Sequence, residues 1–312
     1  MERRSDYDVT NTVNTTDPQS VNDAVDQIFV DLYPKTSARI IDRAFKDLAR
    51  LHQGVYPGYR ACDTTYHNLQ HTLDVTLAMA RLMDGYERSP ERAEALSPRL
   101  FTLGVVTALF HDIGYLRRKT DFRHKNGAEY TLKHVSRGAI FLNDYLGKLG
   151  MANLAPSAGK IIHFTGYERP INSIKLAKPI HRTLGNLLAS ADIIAQMSDR
   201  CYLEKCRDHL FSEFVYGGLA ARDATDDRSG VQFKSAQDLL VKTPRFYNSA
   251  MDRLNNQLGG AYRFAEIHFK GRNLYIEAIE SNIQFATKLG GLGDHSLLRR
   301  LPPPGPPDSG QS

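Results

Sequence analysis

The chain has 312 residues, 41% of them hydrophobic and 24% charged, with a net charge of +5. That composition suits a globular protein of one large or two modest domains, long enough to bury a sizeable core, and excludes a charge-rich disordered chain. No run approaches the ~20 apolar residues of a membrane span, and without Trp or interleaved aromatic and basic residues a nucleic-acid coat is not expected.

Residues 1–20 are rich in Thr, Asn and Asp without periodicity and read as a disordered tail. They show no apolar signal region, and the three cysteines (Cys62, Cys201, Cys206) are odd in number and sparse. Both features predict a cytoplasmic protein with reduced thiols. Val21, Val25, Ile28 and Phe29 open a first helix that ends near Pro34. Thr36 or Ser37 could cap a second, with Ile40, Ile41, Ala44, Phe45, Leu48 and Leu51 inward. A loop over 54–63 follows. From His67 to Tyr86 the apolar spacing predicts a third helix, with His67, His71 and Asp74 on one stripe.

After a charged connector, Leu100 to Ile113 is apolar nearly all round and belongs in the core. It ends in His111-Asp112, with Gly114 as a helix stop. Residues 117–137 are the most basic stretch, including Arg117, Arg118, Lys119, Arg123, Lys125, Lys133 and Arg137. Further helices are predicted through Ile140–Leu146, over Pro156–Thr165, over Leu184–Met197 with Asp192 inside it, and over Tyr202–Val215, Pro244–Phe269 and Asn273–Leu289. No alternating strand pattern appears. Residues 291–312 read as a disordered, proline-rich C-terminal tail. The expectation is an all-α fold with one domain over 21–290.

Three imidazoles and two carboxylates on helical segments suit metal binding, since His and carboxylate together favour Zn, Mn, Mg or Fe. Asp112 is short enough to bridge two ions while His111 binds one, and Asp192 closes the site from another helix. Two divalent ions ~3.5–4 Å apart would generate a hydroxide for in-line attack at phosphorus. His67, not needed as a ligand, would protonate the leaving group, and the basic stretch would help bind the phosphate.

Tyr66-His67-Asn68-(x2)-His71-(x2)-Asp74-Val75 resembles the Tyr-His-Asn-x-x-His-x-x-Asp-Val signature of class I cyclic-nucleotide phosphodiesterases. His111-Asp112 resembles the defining pair of the wider HD superfamily of metal-dependent phosphohydrolases, and Asp192 its last ligand. The resemblance implies an HD/PDEase-like helical bundle in which His67 is the proton donor and His71, His111, Asp112 and Asp192 are metal ligands. It implies that Asp74 orients a ligand, and that Glu129 and His134 line a second metal. His163 stands as an extra ligand or a core histidine, and Asn68 and Arg137 as neighbours of the site. Asn282 would take the place of the family's purine-clamping Gln, with Phe285 beside it.

The chain departs from the family after His111-Asp112, where Asp-His-Pro is replaced by Ile113-Gly114-Tyr115-Leu116. In this it looks more like small bacterial HD proteins. The expected activity is hydrolysis of a phosphodiester in a small phosphate-bearing substrate, a nucleotide by preference, with no duplex nucleic acid and no membrane as partner. The alternatives are a nucleotide phosphomonoesterase on the same fold, a non-catalytic metal- or nucleotide-binding module, and an HD-type oxygenase with a di-iron centre.

Overall fold

A computed structural model describes residues 3–223, 225–226, 228–292 and 295–304. It is all-α: among the described residues there are isolated bridges but no strand. Helix α1 (Pro18–Leu32) opens with Pro18 in its first turn and the Asp17 carboxylate accepting from the Gln19 and Ser20 N–H groups. Helix α2 (Arg39–His52) buries Ile41, Ala44, Phe45, Leu48 and Leu51, the face its spacing predicts. Neither Thr36 nor Ser37 is its cap; Ala38 is, without a side-chain bond.

Helix α3 (Leu69–Arg88) is the central element and is buried almost throughout. It packs against α1, against α4 (Pro98–Leu109), and against α7 (Pro179–Ser198). A helix surrounded by other helices has no solvent stripe, which is why polar Gln70, His71, Thr72 and Thr76 are interior residues. Helices α5 (His134–Lys148) and α6 (Ala155–Ile161) close one side. Beyond α7, α8 (Tyr202–Lys205) passes through a π turn at Cys206–Leu210 into α9 (Phe211–Gly217), where a single helix is predicted.

Ser235 caps α10 (Ala236–Asp252), so Pro244 lies inside a helix instead of opening one. A second π turn (Arg253–Gln257) leads towards α11 (Phe264–His268) and then α12 (Leu274–Leu292). Among the described residues no helix is long and apolar enough to cross a membrane.

The expected disordered tail at 1–20 is corrected over its described part. The Asp8 carboxylate accepts from the backbone of Thr10, Thr12 and Val13 and folds the segment into a compact loop. Asp8 then meets Arg81 of α3 at 2.6 Å, both side chains buried. Ser5 and Thr15 accept from Gln70, and Arg3 donates to the Ser198 carbonyl at the end of α7. Local composition could not reveal this order, because it comes from partners on distant helices. The C-terminal tail is likewise packed at its start, with Leu298 buried and the Arg300 N–H on Glu204. The rest of the proline-rich stretch, from 305, lies outside the described residues.

Candidate metal centre

The signature Tyr66-His67-Asn68 precedes α3 and does not form part of it. Asn68 is the cap: its Oδ1 accepts from the His71 N–H at 3.1 Å while its Nδ2 donates to the Thr65 carbonyl. This fixes the first turn and turns His71 inward. His67 therefore leaves the helical stripe predicted for it and approaches from the loop.

Helix α4 ends at Leu109, and His111-Asp112 occupy the turn beyond it. The His111 Nδ1–H donates to the Ala108 carbonyl at 2.8 Å, which turns Nε2 to the interior as the atom that could face an ion. Gly114 serves a close approach and is not a helix stop. A Cβ there would lie 1.8 Å from the His134 carbonyl oxygen, so only glycine lets α5 begin this near.

His71 Nε2 lies 3.3 Å and His111 Nε2 3.2 Å from Asp112 Oδ2. From α7, Asp192 Oδ1 comes within 3.6 Å of His71 Nε2 and 3.9 Å of His111 Nε2. Ligand atoms of His71, His111 and Asp112 all fall within 4.8 Å of one another. His111 Nε2 and Asp112 Oδ2 are both buried without a hydrogen-bond partner. Buried polar atoms left unpaired are costly, and a cation among them removes the cost. The donor set therefore fits an ion: His71, His111 and Asp112 could hold a metal, with Asp192 beside them.

The other Asp112 oxygen faces away from this group. His134 Nε2 is 3.5 Å from Asp112 Oδ1, its Nδ1–H held by the Thr131 carbonyl. His163 stands near, buried, with Nδ1 3.5 Å from Glu168 Oε1. The His163 ring beside it, together with the charge of His134, holds the Glu168 carboxyl below its ordinary range despite burial.

His67 is fixed from an unexpected direction. Its Nδ1 lies 2.5 Å from Oε2 of Glu213 on α9, and Glu213 Oε1 accepts from the Tyr66 and His67 N–H groups. Burial pulls the His67 pKa down, but the charge and hydrogen bond of Glu213 outweigh it, so the ring titrates above its ordinary value. Tyr115 stacks on both His67 (4.4 Å between centroids) and His134 (4.3 Å). At His111, burial lowers the pKa and Asp112 more than reverses it, to about 9.

Several expected site residues lie elsewhere. Glu129 does not line a second metal; it is exposed and closes a capping box, accepting from the Lys125 and Asn126 N–H groups. Asp74 does not orient a ligand; its neighbours are Thr15, Lys205, Arg3 and Asp199. Arg137 donates to the carbonyls of Gly114 and Leu116, and Arg117 pairs with Asp63, so neither is free for phosphate. Asn282 donates to the carbonyls of Met197 and Asp199 at the end of α7, and Phe285 packs on the core.

Sequence reasoning misses Glu213, Glu168 and Tyr115. Tyr115 carries a signal in its closeness to His111-Asp112, whereas the two acids resemble any helix or loop carboxylate. Fold and site together define an all-α protein with a candidate His-His-Asp metal centre. Compared with protein-family models, curated proteins and solved structures, the chain matches none.

Proposed function

We propose that the chain is a metal-dependent phosphohydrolase of the HD type that cleaves a phosphodiester, with a nucleotide as substrate. One observation carries the reading: His67 is held by Glu213 with its ring 5.6 Å from that of His71, beside the ligand group. A site that only stores a metal needs no such proton carrier.

His71, His111, Asp112 and Asp192 would hold one ion. Asp112 Oδ1, His134 and the nearby His163 and Glu168 would hold a second. Zn, Mn, Mg or Fe suits the mixed nitrogen and oxygen donors. When bound, such ions supply an activated water and neutralise phosphoryl charge. His67, with Nδ1–H directed to Glu213, keeps Nε2–H for the leaving alkoxide. Tyr115 holds the imidazole plane by stacking, and Asn68 holds the backbone of His71.

The test is the metal content of the purified protein, with turnover of a chromogenic phosphodiester and monoester after chelation and add-back of each metal. Metal-restored diester cleavage is the expected result. H67N should keep metal and lose ~10²–10⁴-fold in rate, while D112A should lose both. Full turnover in H67N would refute the assigned donor. Activity on the monoester alone would make the protein a phosphomonoesterase. Bound metal with no turnover of either would make it a binding module.

A further inference from the structure

The basic stretch after Asp112 is not consumed by the site, and its arrangement has a use of its own. Residues 57–60 and 117–119 lie side by side, with Arg60 N–H on the Arg117 carbonyl, Lys119 N–H on the Gly58 carbonyl and a bridge between Tyr59 and Arg118. The knob they support carries Arg60, Arg118, Lys119, Arg123 and Lys125. Arg60 donates to backbone carbonyls and Arg118 lies 4.1 Å over the Tyr59 ring. None of the five cations is in an ion pair among the described residues.

The local acids are used internally. Asp121 accepts from the Arg123 and His124 N–H groups and the Tyr130 hydroxyl, Glu129 caps, and Asp63 holds Arg117. In the middle of this charge Phe122 is 87% exposed, with the Arg60 guanidinium 5.8 Å from its ring, and Val55 in the loop that leads to Pro57 is 60% exposed.

We propose that this knob docks on an anionic phospholipid bilayer. Phe122 enters the boundary between headgroups and acyl chains, where its ring leaves water. The exposed side chains of Arg118, Lys119, Arg123 and Lys125 meet the headgroup phosphates, an attraction that acts within a Debye length of the surface, while Arg60 braces the knob from below. A single-stranded nucleic acid fits less well, because strand binding uses a row of aromatic rings along a groove, and the other exposed apolar side chain here is aliphatic. The proposal is independent of the hydrolase reading.

Co-sedimentation of the full chain with vesicles of phosphatidylcholine, alone or mixed with phosphatidylserine, tests it. Binding is expected only to the mixed vesicles and should weaken as salt is raised. K119E/R123E should weaken it ~tenfold or more, and F122S should weaken it while preserving the salt dependence; both change exposed side chains, and an unchanged thermal midpoint checks the fold. Wild-type binding by either variant, no binding to either vesicle at low salt, or tighter binding to poly-uridylate than to the mixed vesicles would overturn the proposal.

Discussion

His67 and Glu213 are 146 residues apart in the chain and 2.5 Å apart in space. Their pair predicts a pH profile. If His67 is the proton donor proposed above, it must be protonated, so the rate should fall as pH rises through the His67 pKa. Glu213→Gln removes the charge that raises this pKa. Phosphodiester turnover should drop, and its alkaline limb should move to lower pH, with metal content unchanged; an unmoved limb would show that Glu213 does not set the titration. A second expectation concerns His111. With a pKa of about 9 it carries a proton at neutral pH, and a metal must displace that proton to reach Nε2. Metal binding near neutral pH should release protons and weaken as pH falls, as calorimetry in buffers of different ionisation enthalpy would read.

Two predictions belong to the elements. Gly114→Ala places a methyl group against the His134 carbonyl, where the first turn of α5 has no room. A loss of about 1–3 kcal/mol in stability is expected, with weaker metal binding because His134 moves with that turn. Denaturant unfolding and metal titration would read the two effects separately. The loop of residues 3–17 makes a different prediction through Asp8. Burial raises its pKa, but Arg81 and the Val13 N–H lower it further, so the folded value lies below the ordinary 3.8. Its stabilisation is therefore complete above that pH and lost as pH falls through the folded value. Asp8→Asn should cost about 3–5 kcal/mol at neutral pH, since it leaves Arg81 buried and unpaired, and the gap from wild type should narrow in acid.

At the scale of the whole molecule, one ion would join α3, the turn after α4, and α7. Binding to the folded state alone should stabilise it, by about 2.7 kcal/mol at a hundredfold excess over Kd. A rise in thermal midpoint on adding Mn or Zn to chelated protein, absent in D112A, is the expected result. An equal rise in D112A would place the ion elsewhere.

The amino-acid order by itself determined the helical class, most helix cores and the inward faces of α1, α2 and α4, because 3.6-residue periodicity and capping chemistry act over a few residues. It also singled out His67, His71, His111, Asp112 and Asp192, which the structure brings together, through motifs that are local in the chain. Only the tertiary structure decided the rest. Glu213 and Glu168 became neighbours of the histidines because α9 and the loop after His163 fold back on them. Asn282, Asp74, Glu129 and Arg137 found backbone and side-chain partners that take them out of the centre. The segment before α1 gained its order from Arg81, Gln70 and Ser198. A polar side chain's role follows from the partner it meets when desolvated, and that partner is set by packing between elements far apart in the chain.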